Sequence, residues 1–202
     1  MVAVLNVFMT KRIEIIQKEE VFRQAIFRVV AATLKYELYN GTMSDELVRL
    51  NLDRGDSVAA LIHDVQNDVL LMAEQFRYPT HEKGPGWLTE IVAGMVDAGE
   101  KPSDSMKREI WEEVGYRVSS LRHIGTFYMS PGGSSERIHL YYSAVDQADR
   151  CSNGGGKLSE GENVLVLTIP VDQALEELDR GRVMDAKTMI ALQWLALNRD
   201  TL

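Results

Sequence analysis

The chain has 202 residues, 45% of them hydrophobic, and its 22 basic against 30 acidic side chains give a formal charge of −8. That length and apolar content support one sizeable domain plus an appendage, and the negative balance argues against a nucleic-acid polymer as partner. Cys151 is the sole cysteine, which excludes an intrachain disulfide and a cysteine zinc site.

Val2–Met9 is apolar but short and follows no basic region, so no signal peptide is expected, and no run is long enough to cross a bilayer. The expected location is cytoplasmic. Residues 1–56 read as a small N-terminal antiparallel β unit. Val21–Tyr39 is rich in β-branched and aromatic residues and ends at Asn40-Gly41, a hairpin signal, with Leu47–Leu52 as the return strand. Such a unit cannot bury enough surface alone and must pack on the main domain or on another subunit.

Residues 57–202 read as a second, mixed domain. Val58–His63 and Val69–Gln75 are predicted strands around a turn at Gln66-Asn67-Asp68, and Leu88–Val92 is a further strand-like run. Gly94 and Gly99 then predict a loop. Ser103 reads as a helix N-cap with Asp104 in the first turn, and the helix is expected to run through Val114 and stop at Gly115 in a left-handed conformation. Leu121–Met129, Arg137–Ala144 and Val164–Ile169 are further strands, the last preceded by a flexible polar stretch from Asn153 to Asn163. Val171–Asp179 and Ala186–Leu197 carry apolar residues at helical spacing. Short strands with helices at the edges predict an α/β/α sandwich around a mixed sheet.

The chemistry concentrates in the helix after Gly94. Glu109, Glu112 and Glu113 sit three and four residues apart, so their carboxylates share one face while Ile110 and Val114 anchor the helix to a core. Like charges at that spacing repel unless something positive intervenes, and Mg²⁺ is suited to do so because it prefers carboxylate oxygens and carries diphosphates on its remaining positions. Arg108 can hold a carboxylate through a bidentate pair.

Gly94, Glu100, Arg108-Glu109, Glu112-Glu113 and Gly115 stand at fixed spacing, and this segment resembles the Nudix box, the loop–helix signature of enzymes that hydrolyse a nucleoside diphosphate linked to another group. A chance match at all seven positions is on the order of one in a million at average residue usage. The resemblance, which extends from about residue 50 to the C-terminus, implies a Nudix-type fold. It also implies that Glu109 and Glu113 are the principal metal ligands, with Glu112 a further or shared ligand and the carbonyl of Ala93 beside them. Arg108 would orient a glutamate and Glu100 would be structural. The final box position, normally aliphatic, is Tyr116 here.

The flanks narrow the resemblance. Pro131, sixteen residues beyond Gly115, the Ser134–His139 stretch and the Glu74–Pro79 segment are similar to the ADP-ribose pyrophosphatase group, while Tyr128–Gly133 and Gly154-Gly155-Gly156 look closer to GDP-mannose hydrolases. What this implies is a Mg²⁺- or Mn²⁺-dependent pyrophosphatase for a nucleoside diphosphate sugar, with base and sugar left open, and a homodimer joined through the N-terminal strands. The acidic loop Ser159–Asn163 would supply the general base and another metal contact. Glu160 is the candidate base and Glu162 the candidate ligand, with their roles open to exchange.

Arg77 is the candidate for gripping a phosphate, since guanidinium matches phosphate oxygens in a fork, and Arg54 is a second. Trp87 and Tyr78 are candidates for stacking on a base, Glu90 for accepting from a base amino group, and Glu136 for positioning the sugar or the lid. His63, His81, His123 and His139 show no metal-ligand spacing. Two other readings keep the fold: a catalytically silent nucleotide-sugar-binding regulatory domain, and a Nudix enzyme for another nucleoside diphosphate derivative.

Overall fold

The computed structural model describes residues 11–157, 159 and 161–202, so Val2–Met9 and the candidate base Glu160 lie outside the described residues. The chain divides into two compact units, one built on residues up to Arg54 together with Ser130–Glu136, the other on Gly55–Met129 with Arg137–Leu202.

In the first unit, β1 (Ile13–Gln24), β2 (Phe27–Tyr36) and β3 (Leu47–Asp53) form an antiparallel sheet in that order. The run expected as one strand, Val21–Tyr39, is split. The chain reverses at Ala25-Ile26, with Ala25 at a φ of +50°, while the Asn40-Gly41 turn lies in the β2–β3 connection ahead of the return strand, as expected. Neither Ala nor Ile is a turn former, so the first reversal carries no sequence signal. Ser130–Glu136 lies along β3: the Leu52 N–H donates to the Gly133 carbonyl at 2.8 Å, and the Ser134 hydroxyl donates to the Leu52 carbonyl at 3.0 Å. Every residue of β1 is exposed, Ile13, Ile15, Val21 and Phe22 among them, as are Val48 and Leu50 on β3.

The second unit holds β4 (Ser57–Asp64), β5 (Val69–Phe76), the single-turn helix α1 (Tyr78–His81), β6 (Trp87–Glu90), β7 (Val92–Met95), α2 (Pro102–Val114), β8 (Arg122–Tyr128), β9 (Arg137–Val145), β10 (Leu165–Pro170), α3 (Val171–Asp179) and α4 (Ala186–Asn198). The sheet order is β10-β5-β4-β9-β8, with β6 beside β5 and β7 beside β4. β4 and β9 run parallel and the other pairs antiparallel, which makes the sheet mixed, as expected. β4 is a continuous apolar run because both its faces are covered. Val58, Ala60 and Ile62 pack with Met106, Ile110 and Val114 of α2, while Ala59 and Leu61 pack with Val171 of α3 and with Leu192 and Leu195 of α4. The result is the expected three-layer α/β/α sandwich.

Three local expectations change. The Leu88–Val92 run is two short strands broken at Ile91, whose N–H leaves the ladder and donates to Thr188 Oγ1 at 2.9 Å. Gly94 lies within β7 rather than in a loop. The α2 N-cap is Lys101, with Pro102 opening the helix, so Ser103 sits inside the first turn. Proline fits that opening position because its missing N–H would have no intrahelical partner there. At the other end Gly115 closes α2 at a φ of +80°, as expected.

Candidate active site

α2 runs past β7, and the close approach explains Gly94. A Cβ at that position would stand 2.0 Å from the Glu109 carboxyl carbon, so only glycine admits this side chain against the strand. Gly115 is fixed by two constraints, its positive φ and the loop behind it, where a Cβ would meet the Ser152 carbonyl oxygen at 2.3 Å. Cys151 and Ser152 both donate N–H bonds to the Gly115 carbonyl, which ties the polar stretch to the end of α2.

Glu109 and Glu113 are buried, at 6% and 2% exposure. Arg108 Nη1 donates to Glu109 at 2.7 Å and to Glu112 at 3.2 Å, and its Nη2 donates to the Met95 carbonyl and to Glu100, both at 3.3 Å. Burial opposes the Arg108 charge, but Glu109 and Glu100 outweigh it and hold the guanidinium above its ordinary value. Burial pushes the Glu109 carboxyl up in spite of Arg108. Glu113 accepts the Ala93 N–H at 3.3 Å and has no ion pair among the described residues. Burial first, then the neighbouring Glu109, push its carboxyl up to about 8.

Glu112 is turned to other partners. Its carboxylate pairs with Lys157 at 2.8 Å as well as with Arg108. Glu162 accepts the Lys157 N–H at 3.0 Å, and its charge adds to the repulsion felt by Glu109 and Glu113. Among the described residues no three His, Cys, Asp or Glu side chains stand together as a ready metal cage. Two neighbouring buried carboxylates, of which only Glu109 has an ion pair among the described residues, nevertheless fit Mg²⁺, which usually keeps waters and takes one or two carboxylates with substrate phosphates.

Arg77 follows β5 and turns its side chain onto Glu90, donating from Nε at 2.9 Å and from Nη2 at 3.3 Å. Burial lowers the Arg77 pKa, but Glu90 outweighs it and holds the guanidinium above its ordinary value. Glu90 is 2% exposed and its second oxygen is taken by the Lys187 ammonium. This buried carboxylate spends its bonds on two cations, so the role the geometry gives it is to anchor Arg77.

Residues 53–191 match the NUDIX domain family. The chain is 34% identical over 196 residues to an ADP-ribose pyrophosphatase of Haemophilus influenzae, covering 95% of this chain and 89% of that one. The chain belongs to the Nudix family. A GDP-mannose pyrophosphatase of Cronobacter sakazakii is 39% identical over 147 residues, 72% of this chain and 75% of its own. The crystal structure of an ADP compounds hydrolase superposes with a TM-score of 0.70 at 21% identity over 93% of this chain and 96% of its own, a likeness of fold.

In this Nudix chain the remaining candidates are dispersed. Trp87 packs on Phe76 with ring centroids 5.6 Å apart and lines a cavity of about 300 Å³ with Met72, Leu88 and Met184. A cleft of about 520 Å³ lies by Asp64, Tyr116 and Arg150, and neither space is walled by the box glutamates. Tyr78 is exposed on α1. Arg54 and Glu136 belong to the first unit, where they form an ion pair at 3.8 Å. Sequence reading missed Lys157, Asp185 and Lys187. Lys187 carried a faint signal as the lone charge in a mostly apolar helix, whereas nothing about Lys157 in its polar stretch pointed to Glu112.

Proposed function

We propose that this Nudix chain hydrolyses the diphosphate of a nucleoside diphosphate sugar of the ADP-ribose or GDP-mannose class, giving a nucleoside monophosphate and a sugar phosphate. The observation that carries the reading is the Glu109–Glu113 pair, buried with too little positive charge around it. The names of the two groups of relatives support the substrate class.

Glu109 and Glu113, with the Ala93 carbonyl and Glu162, would hold Mg²⁺ or Mn²⁺, and Glu112 would join them on leaving Lys157. Bound there, the cation would neutralise the diphosphate and make water a stronger nucleophile. Arg108 orients Glu109, Arg77 grips a phosphate oxygen, and Glu160, or Glu162 in its place, takes the proton of the attacking water. The glycines of the Asn153–Asn163 stretch let this loop close over the substrate.

The N-terminal β unit, residues 1–56, would join two copies of the chain. A three-stranded sheet with Ile13, Ile15, Phe22, Val48 and Leu50 exposed needs a cover. A monomeric mass in solution scattering with full activity would remove this part of the reading. No helix among the described residues is long and apolar enough to cross a membrane, and we place the enzyme in the cytoplasm.

The deciding experiment is a panel of ADP-ribose, GDP-mannose and other nucleotide sugars with products identified, with Mg²⁺ and then with excess chelator. Turnover lost with the chelator and restored by Mg²⁺ is expected. Binding without turnover on any member would favour a silent regulatory domain.

A further inference from the structure

We propose that Asp185, Lys187 and Glu90 form a positioning relay that fixes the Arg77 guanidinium for the substrate diphosphate, so that α4 sets the grip on a ligand it does not touch. The relay deepens the functional reading above and rests on it for the identity of the anion.

The strand register sets the problem. Phe76 pairs with Trp87, so Arg77 leaves the ladder at the sheet edge, where its N–H donates to the Gly86 carbonyl at 2.6 Å. Its side chain turns back to Glu90, at the far end of β6. Nε and Nη2 are both spent on that carboxylate, while Nη1 makes no hydrogen bond among the described residues. The Arg77 side chain is 39% exposed and that of Glu90 only 3%. One edge of the fork is thus anchored in the interior and the other is offered outward, as a ligand for a phosphate requires.

What fixes Glu90 is the second cation. Lys187 meets the carboxylate oxygen Oε2 and also donates to Asp185 Oδ1 at 3.0 Å. The other Asp185 oxygen caps α4, accepting from the Thr188 N–H at 2.9 Å and from its hydroxyl at 2.6 Å. Thr188 Oγ1 in turn accepts the N–H of Ile91, the residue after Glu90, which closes the ring. Two cations and two carboxylates balance inside a largely buried loop of bonds, where each member is held by more than one partner. With its side chain 9% exposed and two of its three donors committed, Lys187 is built to hold Glu90 and not to reach a ligand.

The test is a double-mutant cycle on the full chain with Mg²⁺. It is read by calorimetric binding of inorganic pyrophosphate and by kcat and KM on ADP-ribose and GDP-mannose. Lys187→Met is expected to weaken pyrophosphate binding and raise KM about tenfold, with a smaller fall in kcat. Asp185→Asn, which keeps the helix cap, should do so about threefold. Both effects should vanish in an Arg77→Ala background, because a relay acts only through its end. Lys187→Arg should recover part of the loss. If the Lys187 and Arg77 effects multiply, Lys187 touches the ligand itself and the relay is overturned. Unchanged pyrophosphate binding with only a lower unfolding midpoint, or no binding by the unaltered protein, overturns it equally. Should Lys187→Met fail to fold, Asp185→Asn carries the same cycle. Absence of nucleotide-sugar turnover by the unaltered protein would defeat the functional reading alone, since the pyrophosphate cycle still decides the relay.

Discussion

Glu90 and Glu113 are equally buried, each 2% exposed, and the fold treats them in opposite ways. Glu90 is clamped between Arg77 and Lys187. Glu113 accepts one backbone N–H among the described residues, and burial, then the repulsion of Glu109, drive its carboxyl up to about 8 against the weaker pull of Arg77. Burial of an acid is therefore not what marks the site. A buried carboxylate with full compensation supports its neighbours, and one left short of positive charge would suit a cation, as the proposed function requires of Glu113.

Two substitutions test this contrast by removing the charge and keeping the shape. Glu113→Gln should lower kcat at saturating Mg²⁺ by about a thousandfold, about 4 kcal/mol of barrier. The metal-free variant should unfold at or above the temperature of the unaltered protein near neutral pH, because no buried charge has lost a partner. Glu90→Gln should do the reverse in stability. It takes the charged partner from Arg77 and one of two from the buried Lys187, which keeps Asp185, and breaking such a pair costs about 3 kcal/mol, readable in urea unfolding. If both variants move stability in the same direction, the contrast between the centres fails.

The two centres were also unequally legible in the sequence. Glu109, Glu112 and Glu113 share one helix, so their common face follows from helical spacing alone, and Gly115 is legible as the end of that helix, whereas Gly94 reads as loop and lies in β7. Arg77 and Glu90 are thirteen residues apart and meet only because β5 and β6 pair in one register, and Lys187 lies 97 residues from Glu90. Contacts of that kind depend on the assembled sheet, so the sequence alone gives Glu90 no partner in the interior. The α/β/α layers followed from runs such as Val58–His63, whereas the Ala25-Ile26 reversal had no turn chemistry to announce it.

The pH dependence of the metal-free protein isolates the uncompensated centre. Between the ordinary glutamate value and about 8, folded Glu113 keeps a proton that the unfolded chain has released, so stability falls as pH rises through that window. The slope attributable to this residue is at most about 1.4 kcal/mol per pH unit. It flattens on the acid side, where both states are protonated, and again above pH 8, where both are ionised. Asp56 and Glu100, held below their ordinary values chiefly by their Arg137 and Ser105 hydrogen bonds, act in the opposite sense and only on the acid side. Urea unfolding at several pH values should show the decline in the unaltered protein, a loss of it in Glu113→Gln, and its reduction by Mg²⁺. A slope that survives in Glu113→Gln would assign the titration to another group.

The smallest effect concerns the support of the box. Arg108 is steadied by Glu100, and Glu100 by the hydroxyl of the fully buried Ser105 at 2.7 Å, so this side has its own chain of props like the one ending on Arg77. Ser105→Ala should cost about 1 kcal/mol and raise the Mg²⁺ concentration needed for half-maximal turnover, as Glu100, one of the groups that hold Arg108, loses its own support. Ser103→Ala, at the position the sequence offered as the helix cap, should change stability by less than about 0.5 kcal/mol, since Lys101 and Pro102 begin the helix and no cap bond is lost. A larger loss at residue 103 than at residue 105 would mean that α2 starts later than observed and that its glutamates are held by the helix end instead of by Arg108.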